Sequence, residues 1–128
     1  MMELYETIKY STLGVLFKNI RITEHFELEI LTGFQYGDKT DIAIYLTKNG
    51  DMLMLSDGGR TRDYINQIFE LAERDVIVNI LRVTSYYNIS TANKGLSLKI
   101  NSIDEFMAGY QRLFACITFL DAMKIFYA

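Results

Sequence analysis

From Glu24 onward the apolar residues of this chain stop following a helical spacing and begin to alternate. Phe26, Leu28 and Ile30 are interleaved with Glu27 and Glu29, and Ile42, Ile44 and Leu46 with Asp41, Ala43 and Tyr45. Successive side chains of a strand point to opposite faces, so each run predicts a strand with one wet face. Lys48-Asn49-Gly50-Asp51 follows the second run. Its Asn-Gly pair suits a tight hairpin, because both central residues of the commonest hairpin turn need positive φ. Met52 to Leu55 is therefore expected to pair antiparallel with Ile42 to Leu46.

The remaining elements arrange themselves around this hairpin. Leu4, Ile8, Leu13 and Leu16 give a loosely helical spacing over residues 3 to 18, weakened by Thr12 and Gly14. Gly33 and Gly37 bracket a break between the two alternating runs. After Ser56-Asp57-Gly58-Gly59-Arg60-Thr61, the residues Tyr64, Ile65, Ile68, Phe69 and Ala72 return to helical spacing. Val76, Ile77, Ile80, Leu81 and Thr84 repeat it, with Glu73 and Arg74 at the junction of two helices. Asn88 to Lys94 reads as polar loop and Gly95 to Ile100 as a short fourth strand. Ser102 and Glu105 form a capping box ahead of Ile103, Phe106, Met107, Tyr110, Leu113, Phe114, Ile117 and Leu120, one continuous face of a helix expected to reach Phe126. The order predicts a single α+β domain over residues 1–128. Its antiparallel sheet has three to four strands, packed on one face by helices, and the chain ends in a long C-terminal helix.

Composition removes several functions. The chain has 128 residues, half of them apolar, enough for a sizeable core. Thirteen Lys and Arg stand against 16 Asp and Glu, for a formal charge of -3, without blocks of like charge. Nucleic-acid binding through phosphates draws on a basic face, so none is expected. Cys116 is the only cysteine. It rules out an internal disulfide and a multi-cysteine metal site, and with the acidic N-terminus MMELYETIKY it points to the cytoplasm. Leu113 to Ala128 is interrupted by Asp121 and Lys124 and falls short of the roughly 20 residues of a membrane span, so it is expected to be a core or interface helix.

Ile30-Leu31-Thr32-Gly33-Phe34, Gly37-Asp38, Asp41-Ile42-Ala43-Ile44-Tyr45-Leu46 and Leu55-Ser56-Asp57-Gly58-Gly59-Arg60-Thr61 resemble a small family of bacterial and phage-like proteins catalogued as domain of unknown function 1828. The order of elements resembles that family over residues 1 to 126, and the motif-like matches lie in residues 30 to 65. The family pattern commonly has Pro before the Phe and a second Asp after the first, where this chain has Gly33 and Gly58. The resemblance implies a mobile-element setting and no particular activity.

Four groups of residues invite a function. Asp57, Gly58, Gly59, Arg60 and Thr61 could hold an anion on glycine amides, an arginine and a helix N-terminus. A structural account asks for less: the glycines turn the corner, Asp57 or Thr61 caps the helix, and Asp63 complements its dipole. The loop lacks the spacings GxxxxGK[ST] and GxGxxG, which favours the structural account. Asp38, Asp41, Asp51 and Asp57 near strand ends could gather a hard cation, yet solvated or capping turn aspartates are the commoner case. His25 is the lone histidine and is not expected to meet Cys116, read as a small core residue, so no catalytic triad is expected. Phe119, Ile125, Phe126 and Tyr127 make the final helical turns apolar nearly all round. That end is buried either in the core or against a second copy in a homodimer. The leading expectation is a non-enzymatic protein-interaction factor of a bacterial or phage cytoplasm, a mobile-element accessory or counter-defence protein, without cofactor, metal or membrane association. The alternative is a phosphate- or metal-binding enzyme or ligand binder using Asp41 and the Asp57-to-Thr61 corner.

Overall fold

The computed structural model describes residues 2–10, 17–25, 27–69, 74–91 and 95–122. Helix α1 (Met2–Tyr10) leads into strands β1 (Asn19–Ile22), β2 (Leu28–Gln35), β3 (Asp41–Asn49) and β4 (Met52–Ser56). Helices α2 (Arg60–Phe69) and α3 (Arg74–Tyr86), strand β5 (Ser97–Ile100), a 3-10 turn (Ile103–Glu105) and helix α4 (Phe106–Ala122) follow. The five strands lie in chain order, each antiparallel to the next. The architecture is α+β with a long C-terminal helix, as the periodicity predicts.

Alternation sorts the sheet into two faces. Ile22, Leu28, Leu46, Leu55 and Leu98 are successive cross-strand partners and make one apolar row over all five strands. Burying a side chain of this size is worth about 1.5–3 kcal/mol, so the row fixes the register: a one-residue slip would turn it to solvent. Helix α4 packs on this face through Phe106, Tyr110, Leu113, Ile117 and Leu120, all buried. Gly109 lets it approach closely, since a Cβ there would come within 3.0 Å of Ile100 and 3.1 Å of Leu55 and Leu98. Phe17 seals the core edge with edge-on ring contacts to Phe106 and Tyr110. The opposite face carries a polar row, Arg21, Glu29, Tyr45 and Ser56, again cross-strand partners.

The strand count is the main correction. The sheet has five strands, not three or four, because β1 is only four residues long and Ile20 and Ile22 are too few to register as a period. Gly33 does not end β2. With φ of +87° it sits in an irregularity of register between Leu31 and Gln35, and the strand continues through it as a bulge. The hairpin turn is also displaced by one residue. Asn49 pairs with Met52, so the loop is Gly50-Asp51, and Gly50 (φ +64°) alone takes positive φ, the pattern of a turn led by glycine.

At the start of the last helix neither half of the expected capping box forms, and Glu105 reaches one residue past the cap. Glu105 Oε2 accepts the Asn101 N–H at 2.8 Å, whereas the Ser102 side chain makes no cap bond. The first helix is described only to Tyr10. Leu13, Leu16, Phe26, the junction residue Glu73, and Ile125, Phe126 and Tyr127 lie outside the described residues, and for Ile68, Phe69, Val76 and Ile77 only the backbone is described.

Candidate functional site

The corner after β4 is built around Asp57, whose side chain has 0 % exposure. A carboxylate taken out of water must have its lone pairs met by donors. Asp57 meets them with backbone: Oδ1 accepts the N–H of Gly59 at 2.8 Å and of Leu96 at 3.0 Å, and Oδ2 accepts the N–H of Thr61 at 3.2 Å. Its own N–H donates to Leu96 O at 3.1 Å and its carbonyl accepts from Arg60 N–H at 3.3 Å. One side chain thus caps α2 and ties the corner to the segment entering β5.

Two glycines make the geometry accessible. Gly58 and Gly59 have φ of +66° and +79°, a region costly for residues with a Cβ. Gly58 also lies against the Tyr45 ring, where an added Cβ would stand 2.9 Å from Cε2. Gly95 faces them from the other side: a Cβ there would meet Gly59 N at 2.9 Å and Asp57 Oδ1 at 3.0 Å. Sequence reasoning missed Gly95. The alternation places Gly95 at the start of the fourth strand, whereas β5 begins at Ser97 and Gly95 belongs to the corner.

The corner's amides are already engaged. Besides the bonds above, Gly58 N–H donates to Ser56 Oγ at 3.4 Å, so each of the five amides from Asp57 to Thr61 has an internal acceptor. An anion seated there would have to displace a carboxylate that is part of the fold. Thr61, 1 % exposed, turns its hydroxyl to Tyr36 at 2.8 Å, and the Tyr36 and Tyr64 rings stack 5.1 Å apart. Burial raises the Tyr36 phenol far above its ordinary value. Tyr64, also buried, is pushed up to about 12 by burial and then by Asp121. Asp121 accepts the N–H of Gly37 at 3.0 Å, pinning the end of α4 to the β2–β3 turn.

The other candidate residues scatter. Asp41 is exposed at the start of β3, 3.5 Å from Gln35 Nε2. Asp38 binds Thr40 through both its hydroxyl and its amide, and these bonds lower its carboxyl from the usual value. Asp51 sits in the hairpin turn at the far end of β4. Among the described residues no three acidic, histidine or cysteine side chains are placed to hold a metal ion. Cys116 is fully buried, and burial followed by the negative charge of Asp57 pushes its thiol up to about 12. His25 is exposed at the β1–β2 turn. It helps line an open cleft of about 360 Å3 with Thr23, Glu24 and Glu27, floored by Tyr45 and Gly58.

Arg21 and Tyr45 of the polar row line the same cleft, and the row forms a chain. Arg21 Nε donates to Glu29 Oε1 at 2.7 Å, and the Tyr45 hydroxyl donates to Glu29 Oε2 at 3.1 Å. The bond from Arg21 holds the Glu29 carboxyl below its usual value. Arg60 is exposed, and its charge adds to that effect.

A second surface feature lies on the helices. Tyr86 on α3 is 83 % exposed and Phe119 on α4 is 50 % exposed. Tyr87 stands between them, its ring 5.0 Å from that of Tyr86 and 6.5 Å from that of Phe119. Val78 and Leu81 add exposed aliphatic surface to α3. Of the residues expected at an apolar interface, Phe119 is therefore at the surface. No described helix is long and apolar enough to cross a membrane. Set against protein-family models, curated proteins and solved structures, the chain matches none of them.

Proposed function

We propose that the protein is a non-enzymatic interaction factor that binds another protein, or a second copy of itself, through the aromatic surface of α3 and α4. The observation that carries this reading is the continuous ring contact Tyr86–Tyr87–Phe119, with two of its three rings half exposed or more. Tyrosine and phenylalanine are the side chains that interfaces enrich, and large apolar groups grouped on a surface are covered when a partner is bound. Internal engagement of the corner amides weighs against the alternative, an anion or metal site around Asp57. The resemblance in residues 30–65 adds the setting: a bacterial or phage cytoplasm and a mobile-element accessory or counter-defence role.

The test compares wild type with the double variant Tyr86→Asp and Phe119→Asp. Both side chains are at the surface, so the variant is expected to keep the wild-type melting temperature. Light scattering over a range of concentrations and affinity capture from a bacterial lysate then read association. Self-association or specific capture by wild type, lost in the variant, supports the reading. Equal association by both proteins, or none by either, overturns it.

A further inference from the structure

The chain carries two dipeptides of one reactive kind, Asn49-Gly50 and Asp57-Gly58, at opposite ends of β4. In such a pair the glycine amide nitrogen can attack the preceding side-chain carbonyl carbon. Glycine is the most permissive following residue, having no Cβ to crowd its amide. The surroundings of the two pairs differ in every respect that matters for this attack. The Asp57 carboxylate is buried and fixed by three backbone amides. Asn49 is exposed, Gly50 has nothing within 4 Å of the position its Cβ would take, and among the described residues the Asn49 side chain makes no hydrogen bond. The loop itself is only Gly50-Asp51, at the solvent-exposed tip of the hairpin.

We infer that Asn49 is a site of spontaneous deamidation in the folded protein, and that the fold protects Asp57 from the matching rearrangement. The Gly50 nitrogen forms a bond to Cγ of Asn49, the Cγ–Nδ2 bond breaks, and ammonia leaves with the proton the glycine nitrogen gives up. Solvent water then opens the cyclic imide. Addition at one carbonyl yields aspartate, and addition at the other yields isoaspartate, in which the main chain runs through Cβ and Cγ. Either product adds a negative charge to a chain already at -3. The isoaspartate also lengthens the backbone at the last residue of β3, next to a turn whose pairing depends on a two-residue loop.

The experiment ages the intact chain at pH 8 and 37 °C, digests it at acid pH where imide formation is slow, and locates mass gains and isoaspartate by fragmentation mass spectrometry. Asn49 is expected to convert at least about tenfold faster than Asn88 or Asn101, which precede Ile89 and Ser102 and so lack the uncrowded glycine amide. Asp57 is expected to isomerise only when the chain is unfolded in urea. Asn49→Gln should remove the mass gain, and the residue is exposed, so the fold should persist. Three results overturn the inference: Asn49 intact in the folded chain while the urea-unfolded chain converts; conversion no faster than at Asn88 and Asn101; or Asp57 isomerising in the folded chain as fast as Asn49 deamidates.

Discussion

The turns at the two ends of β4 have similar sequences and opposite roles. Asn49-Gly50-Asp51 and Asp57-Gly58-Gly59 each place an Asn or Asp before glycine, and each uses positive φ. At the hairpin tip the side chains face water, and the glycine answers only to the backbone. At the corner the carboxylate is buried and the glycines answer to three separate neighbours: Tyr45, the Asp57 side chain and Gly95. Local sequence therefore sets the conformation of each turn, while tertiary contact sets how much energy depends on it.

The sharpest way to break this comparison is Asp57→Ala. It leaves the amides of Gly59, Thr61 and Leu96 without their acceptor. An exposed helix cap is worth about 1 kcal/mol, but each buried amide left unpaired costs about 1–3 kcal/mol, so a loss of about 3 kcal/mol is expected in urea unfolding. A loss no larger than an exposed cap would mean that the buried bonds to Thr61 and Leu96 contribute little.

A glycine series comes next in size. Gly95→Ala pushes a methyl group against main-chain atoms that cannot rotate away, for a loss of about 2 kcal/mol by overpacking. Gly58→Ala meets both left-handed strain and the Tyr45 ring, so about 1–2 kcal/mol is expected, and Gly50→Ala meets the strain alone, at about 1 kcal/mol. Melting curves of the three variants should rank in that order. Gly50→Ala equal to Gly95→Ala would erase the distinction between open turn and packed corner.

The smallest effect concerns acid. The folded-state pKa of Glu29 is depressed, chiefly by the bond from Arg21, so its stabilising contribution is complete above the ordinary glutamate value. It is lost as pH falls through the lower, folded value. Because Arg21 is exposed, solvent screens most of the gain. Melting temperatures of wild type and Glu29→Gln should differ slightly near neutrality and converge in acid. A gap that persists at pH 2 would assign the effect to packing.

The sequence made the local parts of this fold readable. Alternation marks β2, β3 and β5, and a spacing of three and four marks the buried face of α4, because each pattern is carried by residues near one another in the chain. What escaped is nonlocal. The two apolar residues of β1 acquire meaning only beside Leu28 and Ile30. Asp57 reads as a cap from its neighbours, yet the bond that most distinguishes it goes to an amide 39 residues away. Gly95 reads as the first residue of a strand until the corner is folded against it. The aromatic surface was foreseen at Phe119, but Tyr86 and Tyr87 lie at and just past the end of another helix, and no spacing in the sequence joins them to it.

A sheet whose spatial order equals its chain order also has a consequence for how the chain finds its structure. The first three pairings each close a short loop, so their entropic cost is small and β1 to β4 can assemble as a nearly local meander. Pairing β4 with β5 must instead close a loop that contains α2 and α3. The Asp57–Leu96 bonds sit where that long loop shuts, and they can form only after both helices have been accommodated. They act as a latch on the last closure, slowing the escape of β5 and α4 from the meander more than they speed its formation.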